Sequence, residues 1–182
     1  MSRSGLVYGV LAAAAATAFI LAPAAFAPAA FAQAPKGQAK SLGKFGAYEA
    51  YTLGEGAQKV CYFVGRPKES APKGVKRNDV YFMATNRPAA KVTGELSFSF
   101  GQKLKDASEA ELTVGKDKFK LFTKDDSAWA RDAAGDKAIM AALEKGQTVV
   151  AKGSPAKGAD FVDTYSLDGL TKAKHAIDTA CK

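Results

Sequence analysis

Between Val92 and Phe100 polar and apolar side chains alternate: Leu96, Phe98 and Phe100 fall on one side, Glu95, Ser97 and Ser99 on the other. Successive side chains of a strand point to opposite faces, so this pattern describes a half-buried antiparallel strand with its apolar face inward. From Phe45 onward the chain repeats the theme in short runs separated by turn residues. Phe45–Leu53 carries aromatics at 45, 48 and 51, and Lys59–Val64 is β-branched and aromatic, as a central strand would be. Asp79–Thr85 is a further strand, stopped by Asn86-Arg87-Pro88. Glu111–Val114 and Lys118–Thr123 flank a hairpin connection at Gly115-Lys116-Asp117, and Thr148–Lys152 and Asp160–Tyr165 complete the set.

Two segments have helical spacing instead. Asp136–Lys145 places Ile139, Met140 and Leu143 on one face, with Gly146 where a left-handed terminating residue belongs. Gly169–Ala180 buries Leu170, Ala173 and Ile177 behind Asp168 as the expected N-cap. Strands dominate, no βαβ alternation occurs and no segment repeats. The predicted fold class is mainly β: an antiparallel β-sandwich with two short helices, one near 136–145 and one C-terminal.

The first residues bear on compartment. Arg3 is the only charge before Lys36, and Leu6–Ala32 is a run of apolar and small residues broken only at Pro23 and Pro28. Ala30-Phe31-Ala32 puts small residues at −3 and −1, so residues 1–32 read as a signal peptide cleaved before Gln33. A retained anchor is the alternative, since roughly 20 apolar residues span a bilayer; the prolines and the alanine content weaken it. No other stretch is apolar enough to be a transmembrane segment. Residues 33–44, rich in Ala, Lys, Gly and Pro, read as a flexible leader, and residues 45–182 as one folded domain. The expected location is outside the cytoplasm, in the cell envelope or secreted.

The formal net charge of +8 favours anionic partners: envelope components, a host surface, or the headgroups met in peripheral membrane association. The compartment argues against nucleic acid. Basic residues cluster in one loop, where Arg66, Lys68, Lys73, Lys76 and Arg77 stand against the single acid Glu69. That loop is the expected contact surface, against the plainer reading of a flexible solvated loop. Cys61 and Cys181 are the only cysteines, and an even count in an exported protein argues for a disulfide, the alternative being two buried free thiols. Two Cys and one His lack any ligand spacing, so no metal is expected, and no cofactor.

Catalytic patterns do not assemble in the sequence. Ser166, Asp163 and His175 supply the residue types of a hydrolytic triad, but Tyr165-Ser166-Leu167 is no nucleophile elbow, and His175 sits at the edge of its helix's buried face. Gly153–Gly158 has the outer glycines of a phosphate loop without the Lys-Ser/Thr that should follow. Gly54-Glu55-Gly56 lacks the third glycine of a dinucleotide fingerprint. Asp125-Asp126 reads as a solvated loop, and Trp129, the only tryptophan, as a core residue or a ligand platform. The expectation is a non-enzymatic interaction or structural module. A small-molecule binder using Trp129 and a serine hydrolase using Ser166 and His175 are the alternatives.

Several of these segments also occur together in a recognisable order. Lys59-Val60-Cys61-Tyr62, Asp79-Val80-Tyr81-Phe82 with Asn86-Arg87-Pro88, Phe119–Thr123 followed by Ala128-Trp129-Ala130, Asp163–Leu170 and the terminal Ala180-Cys181 resemble the invasion-associated locus B family of alphaproteobacterial envelope proteins. The resemblance covers about residues 45–181. It implies an immunoglobulin-like β-sandwich, a periplasmic or outer-membrane-associated location, no known catalytic activity and, in intracellular pathogens, a link to host-cell invasion. It supplies no active-site residues. The chain departs from the family pattern at Phe45-Gly46-Ala47-Tyr48, where many relatives carry Trp and an extra Cys, and at Pro155.

Overall fold

The computed structural model describes residues 37–182. The expected signal peptide and the first part of the leader lie outside the described residues. Eleven strands and two helices follow in order: β1 (Lys40–Phe45), β2 (Tyr48–Leu53), β3 (Val60–Gly65), β4 (Glu69–Ala71), β5 (Tyr81–Arg87), β6 (Val92–Ser99), β7 (Glu109–Val114), β8 (Asp117–Lys124), β9 (Ser127–Trp129), α1 (Ala133–Leu143), β10 (Thr148–Gly153), β11 (Phe161–Ser166) and α2 (Leu170–Ala180).

Hydrogen bonding joins the strands in the order β1-β2-β3-β5-β6-β9-β8-β7-β10-β11-β4, and every neighbouring pair is antiparallel. The three-residue β9 bridges β6 and β8 and thereby links the two halves. The ribbon folds over, and the aromatic face of β2, β3, β5 and β6 meets β11. Phe82 stacks on Phe98 at 4.7 Å, Tyr165 sets its edge against both, and Tyr48 meets Phe63 edge-on at 5.2 Å. The Tyr48 hydroxyl donates to the Ser166 carbonyl at 2.7 Å, so the one polar atom of that ring crosses the core to a partner. This is the expected mainly β sandwich.

Several boundaries differ from the sequence expectation. Lys40–Lys44 is not leader: it forms most of β1, which pairs with β2 in a hairpin whose turn holds Gly46 at φ 57°. Leu42 and Phe45 pack on the core and pin this strand despite its lysines. The strand expected over Phe45–Leu53 is thus the turn and second arm of that hairpin. On β6, Ser97 and Ser99 are buried as well as Leu96 and Phe98. The polar face is covered too, with α1 against β6 and Ser99 Oγ donating to the Asp79 carbonyl at 3.1 Å.

The helix ends are also set differently. α1 begins at Ala133, where the Asp132 carboxylate accepts the Gly135 N–H at 2.7 Å. Gly146 is not left-handed; it is needed for space, since a Cβ there would lie 2.6 Å from Val114 Cγ1. α2 is entered through Gly169 at φ 84°, without a side-chain cap from Asp168. The Asp168 carbonyl instead accepts the Ala47 N–H at 3.1 Å, tying the β1–β2 turn to the start of α2. α2 lies along β1, β2, β3 and β5. Its far end carries Cys181, which is bridged to the buried Cys61 of β3 with Cα atoms 5.9 Å apart. The disulfide reading therefore holds, and the free-thiol alternative does not.

Candidate functional site

The basic segment after β3 is an anchored arm. The Lys68 N–H donates to the Thr164 carbonyl at 2.8 Å, β4 then pairs with Val162–Thr164 of β11, and the Asn78 N–H closes the arm on the Gly101 carbonyl at 2.8 Å. Between these ties the chain turns at Gly74, whose φ of 79° is a left-handed value that suits glycine. The apex reads Lys73-Gly74-Val75-Lys76, all exposed, and Val75 is one of the two large exposed apolar residues among the described residues. Lys68, Lys73 and Lys76 are exposed and make no ion pair among the described residues. Arg66 pairs with Asp79 at 3.3 Å, both ends open to water, so the pair contributes little and exchanges readily.

Arg77 does not belong with them, which corrects the five-residue expectation. Its side chain is 6% exposed and that of Asp163 is 0% exposed. The guanidinium donates to both carboxylate oxygens, at 2.6 and 2.8 Å, and to the Phe100 carbonyl at 3.3 Å. It also lies over the Phe161 ring, 4.6 Å from its centroid. The bond to Asp163 raises the guanidinium pKa above its ordinary value. Arg77 is the bolt that fixes the arm, and it is unavailable to an outside anion. A signal for this existed in the sequence: Phe161, Asp163 and Tyr165 share the inward face of one strand, and an inward carboxylate needs a buried cation.

The same alternation separates the triad candidates. Asp163 points into the core and is held by Arg77, while Ser166 lies on the other face of β11, its Oγ accepting the Asp168 N–H at 3.2 Å. His175 is exposed on α2 beside Phe45, Thr171, Lys172 and Ala176. The three are not brought together. The Gly153–Gly158 segment connects β10 to β11. Its Gly153 is packed so closely that a Cβ would lie 2.9 Å from the Phe100 ring, and Pro155 bridges Leu104. Asp125 and Asp126 form the β8–β9 turn, and their carbonyls accept the Leu104 and Phe100 N–H groups.

Trp129 is neither core nor free-standing. β8 and β9 place it opposite Phe122, and the two rings stack at 5.6 Å and 25°. Phe122 is 37% exposed and Trp129 half-buried, and together they form one wall of an open groove of about 630 Å³. α1 supplies the other wall through Asp132 and Asp136. Where β6 outruns β9, the Asp136 carboxylate takes the place of a strand partner, its Oδ1 accepting the Leu96 N–H at 2.9 Å. Burial pushes the Asp136 carboxyl above the usual carboxylate range, against the opposing pull of that hydrogen bond. Sequence reading singled out Trp129 but not its ring partner. The available signal was Phe122 standing next to the inward Leu121, hence outward on β8.

Among the described residues no helix is long and apolar enough to cross a membrane, and no group of three or more His, Cys, Asp or Glu could hold a metal ion. Among solved structures, the chain is similar to the invasion associated protein B of Bartonella henselae. The TM-score is 0.52 with 11% sequence identity, over 79% of this chain and 98% of that one. At that identity the likeness concerns the fold. No curated protein matches the chain at the sequence level. The family model for the invasion associated locus B protein matches residues 51–178, from β2 to within α2 and across both the arm and the groove, and the chain therefore belongs to the invasion associated locus B family.

Proposed function

We propose that this protein is an exported, non-enzymatic interaction module of the cell envelope that holds an anionic surface through its basic arm. Arg66, Lys68, Lys73 and Lys76 are the contact residues. The observation that carries this reading is the apex of the arm: unpaired lysines on either side of exposed Val75, on a segment tied down at both ends. Ammonium groups around an apolar side chain match a phosphate-bearing lipid surface, where the charges meet headgroups and the apolar tip enters the boundary beneath them. A pre-fixed arm loses little conformational freedom on binding. Export rests on the reading of residues 1–32, and the non-enzymatic role on the family, the fold and the dispersed triad. Work at a surface fits the invasion association in the family's name.

Vesicle flotation tests the arm. The protein is expected to float with vesicles containing anionic phospholipid, to be released as salt rises, and to remain unbound with purely zwitterionic vesicles. Each basic residue near such a surface contributes about 1 kcal/mol. Changing Arg66, Lys68, Lys73 and Lys76 together to Gln should therefore weaken binding at least a hundredfold while leaving the unfolding midpoint in place. Binding that survives these four changes, or that ignores lipid charge, sinks the proposal.

A further inference from the structure

The groove between β8–β9 and α1 has no part in the arm, and its chemistry is of another kind. One wall is aromatic, with Phe122 and Trp129 stacked on adjacent strands. The opposite wall presents carboxylates. Two charged side chains in the groove are already turned aside: Arg131 pairs with Glu109 at 2.7 Å and Glu95 with Arg87 at 2.7 Å. Asp136 is not fully used. Oδ1 holds the Leu96 N–H, whereas Oδ2 has no protein partner among the described residues and is not sealed from solvent, since no buried polar side-chain atom among those residues lacks a partner. Lys91 and Lys124 complete the rim, and neither makes an ion pair among the described residues.

From this juxtaposition we infer that the groove is a glycan site, in which a pyranose ring lies on the Phe122–Trp129 wall and donates a hydroxyl to Asp136 Oδ2. A pyranose offers one face of polarised C–H bonds, which the negative face of an aromatic ring attracts. It also offers several hydroxyl donors, and an ionised carboxylate accepts them in charge-assisted bonds. The rim lysines can donate to ring and glycosidic oxygens, or pair with an acidic sugar. A phosphate-bearing ligand would meet Asp132 and Asp136 at like charge. The groove is open along its length, which suits a residue within a chain of sugars better than an enclosed metabolite.

Trp129 is the only tryptophan, so tryptophan emission, excited selectively over that of tyrosine, reports on this groove. Three probes separate the sources of such a glycan: chitotetraose for an amino-sugar polymer of the bacterial wall type, sialyllactose for an acidic host-surface type, and cellotetraose for a neutral polymer. At least one is expected to shift the emission saturably, and the four-Gln arm variant should bind it with unchanged affinity. By calorimetry, Trp129→Ala should weaken the same probe about tenfold, the value of a lost stacking ring. Asp136→Asn keeps an oxygen for the Leu96 N–H but replaces the hydroxyl acceptor by a donor, and should weaken binding by a similar factor without unfolding the domain. If none of the three sugars changes the emission, or if both variants bind as the native protein does, the inference is wrong.

Discussion

A guanidinium and a carboxylate removed from water together are held by their mutual geometry, and each becomes a liability without the other. Arg77 and Asp163 are in that position: both oxygens of the carboxylate are used, and the remaining faces of the guanidinium meet the Phe100 carbonyl and the Phe161 ring. Arg77→Met should therefore destabilise the domain by about 3–5 kcal/mol, the cost of leaving a buried charge unpaired. Urea unfolding at neutral pH reads this directly. Arg77→Met combined with Asp163→Leu removes both charges and is expected to recover most of the loss. A single variant as stable as the native protein would show that Asp163 finds another partner or water. The same residue also fixes the arm's position, because the lysines on the apex stay where Arg77 and β4 hold them.

At the scale of elements, the entry to α2 shows how a conformational requirement and a spatial one combine. Gly169 sits at φ 84°, and any Cβ there would run into the Phe45 carbonyl at the β1–β2 turn. Gly74, at φ 79° on the arm, has nothing within 4 Å of its Cβ position. Gly74→Ala should cost only the left-handed backbone term, about 1–2 kcal/mol. Gly169→Ala should cost clearly more and loosen α2 from the β1–β2 hairpin, seen as a larger drop in the unfolding midpoint and faster amide exchange in α2. Equal losses would refute the clash. Neither the clash nor the hairpin was legible in the sequence. The strand cores and the two apolar helix faces were, because burial writes a period of two or 3.6 into the side chains. β1 was not, because Lys40, Lys44 and Gly43 mask Leu42 and Phe45, and a short edge strand needs few apolar residues. Trp129 was legible as a residue of interest, but the groove depends on Phe122 and Asp136, in the elements on either side of β9, and the register that sets Phe122 opposite Trp129 is not written in either residue. The basic cluster was visible as charge, yet composition cannot tell a solvated lysine from an arginine that completes a core.

For the molecule as a whole, the Cys61–Cys181 bridge closes a sequence separation of 120 residues and ties the last turn of α2 to a central strand. Cross-linking residues so far apart removes many open conformations from the unfolded chain. The chain-entropy relation gives roughly 5 kcal/mol for a loop of this length, and native disulfides removed from small secreted domains have cost about 2–5 kcal/mol. The bridge also does local work. α2 carries only Leu170, Ala173 and Ile177 as buried anchors, so without the bridge its far end is held by little besides those contacts and the Asn86–Asp178 hydrogen bond at 2.8 Å. Replacing both cysteines by serine is therefore expected to lower stability by about 2–5 kcal/mol, with the earliest amide exchange in the last turns of α2. The arm is fastened separately, by Arg77 and by β4 on β11, so below the new unfolding midpoint the variant is expected to float with anionic vesicles to the same extent as the bridged protein. Urea unfolding, exchange and flotation on the same double variant separate the two attachments. Loss of vesicle binding in a variant that remains folded would mean that the arm depends on α2 and its bridge after all.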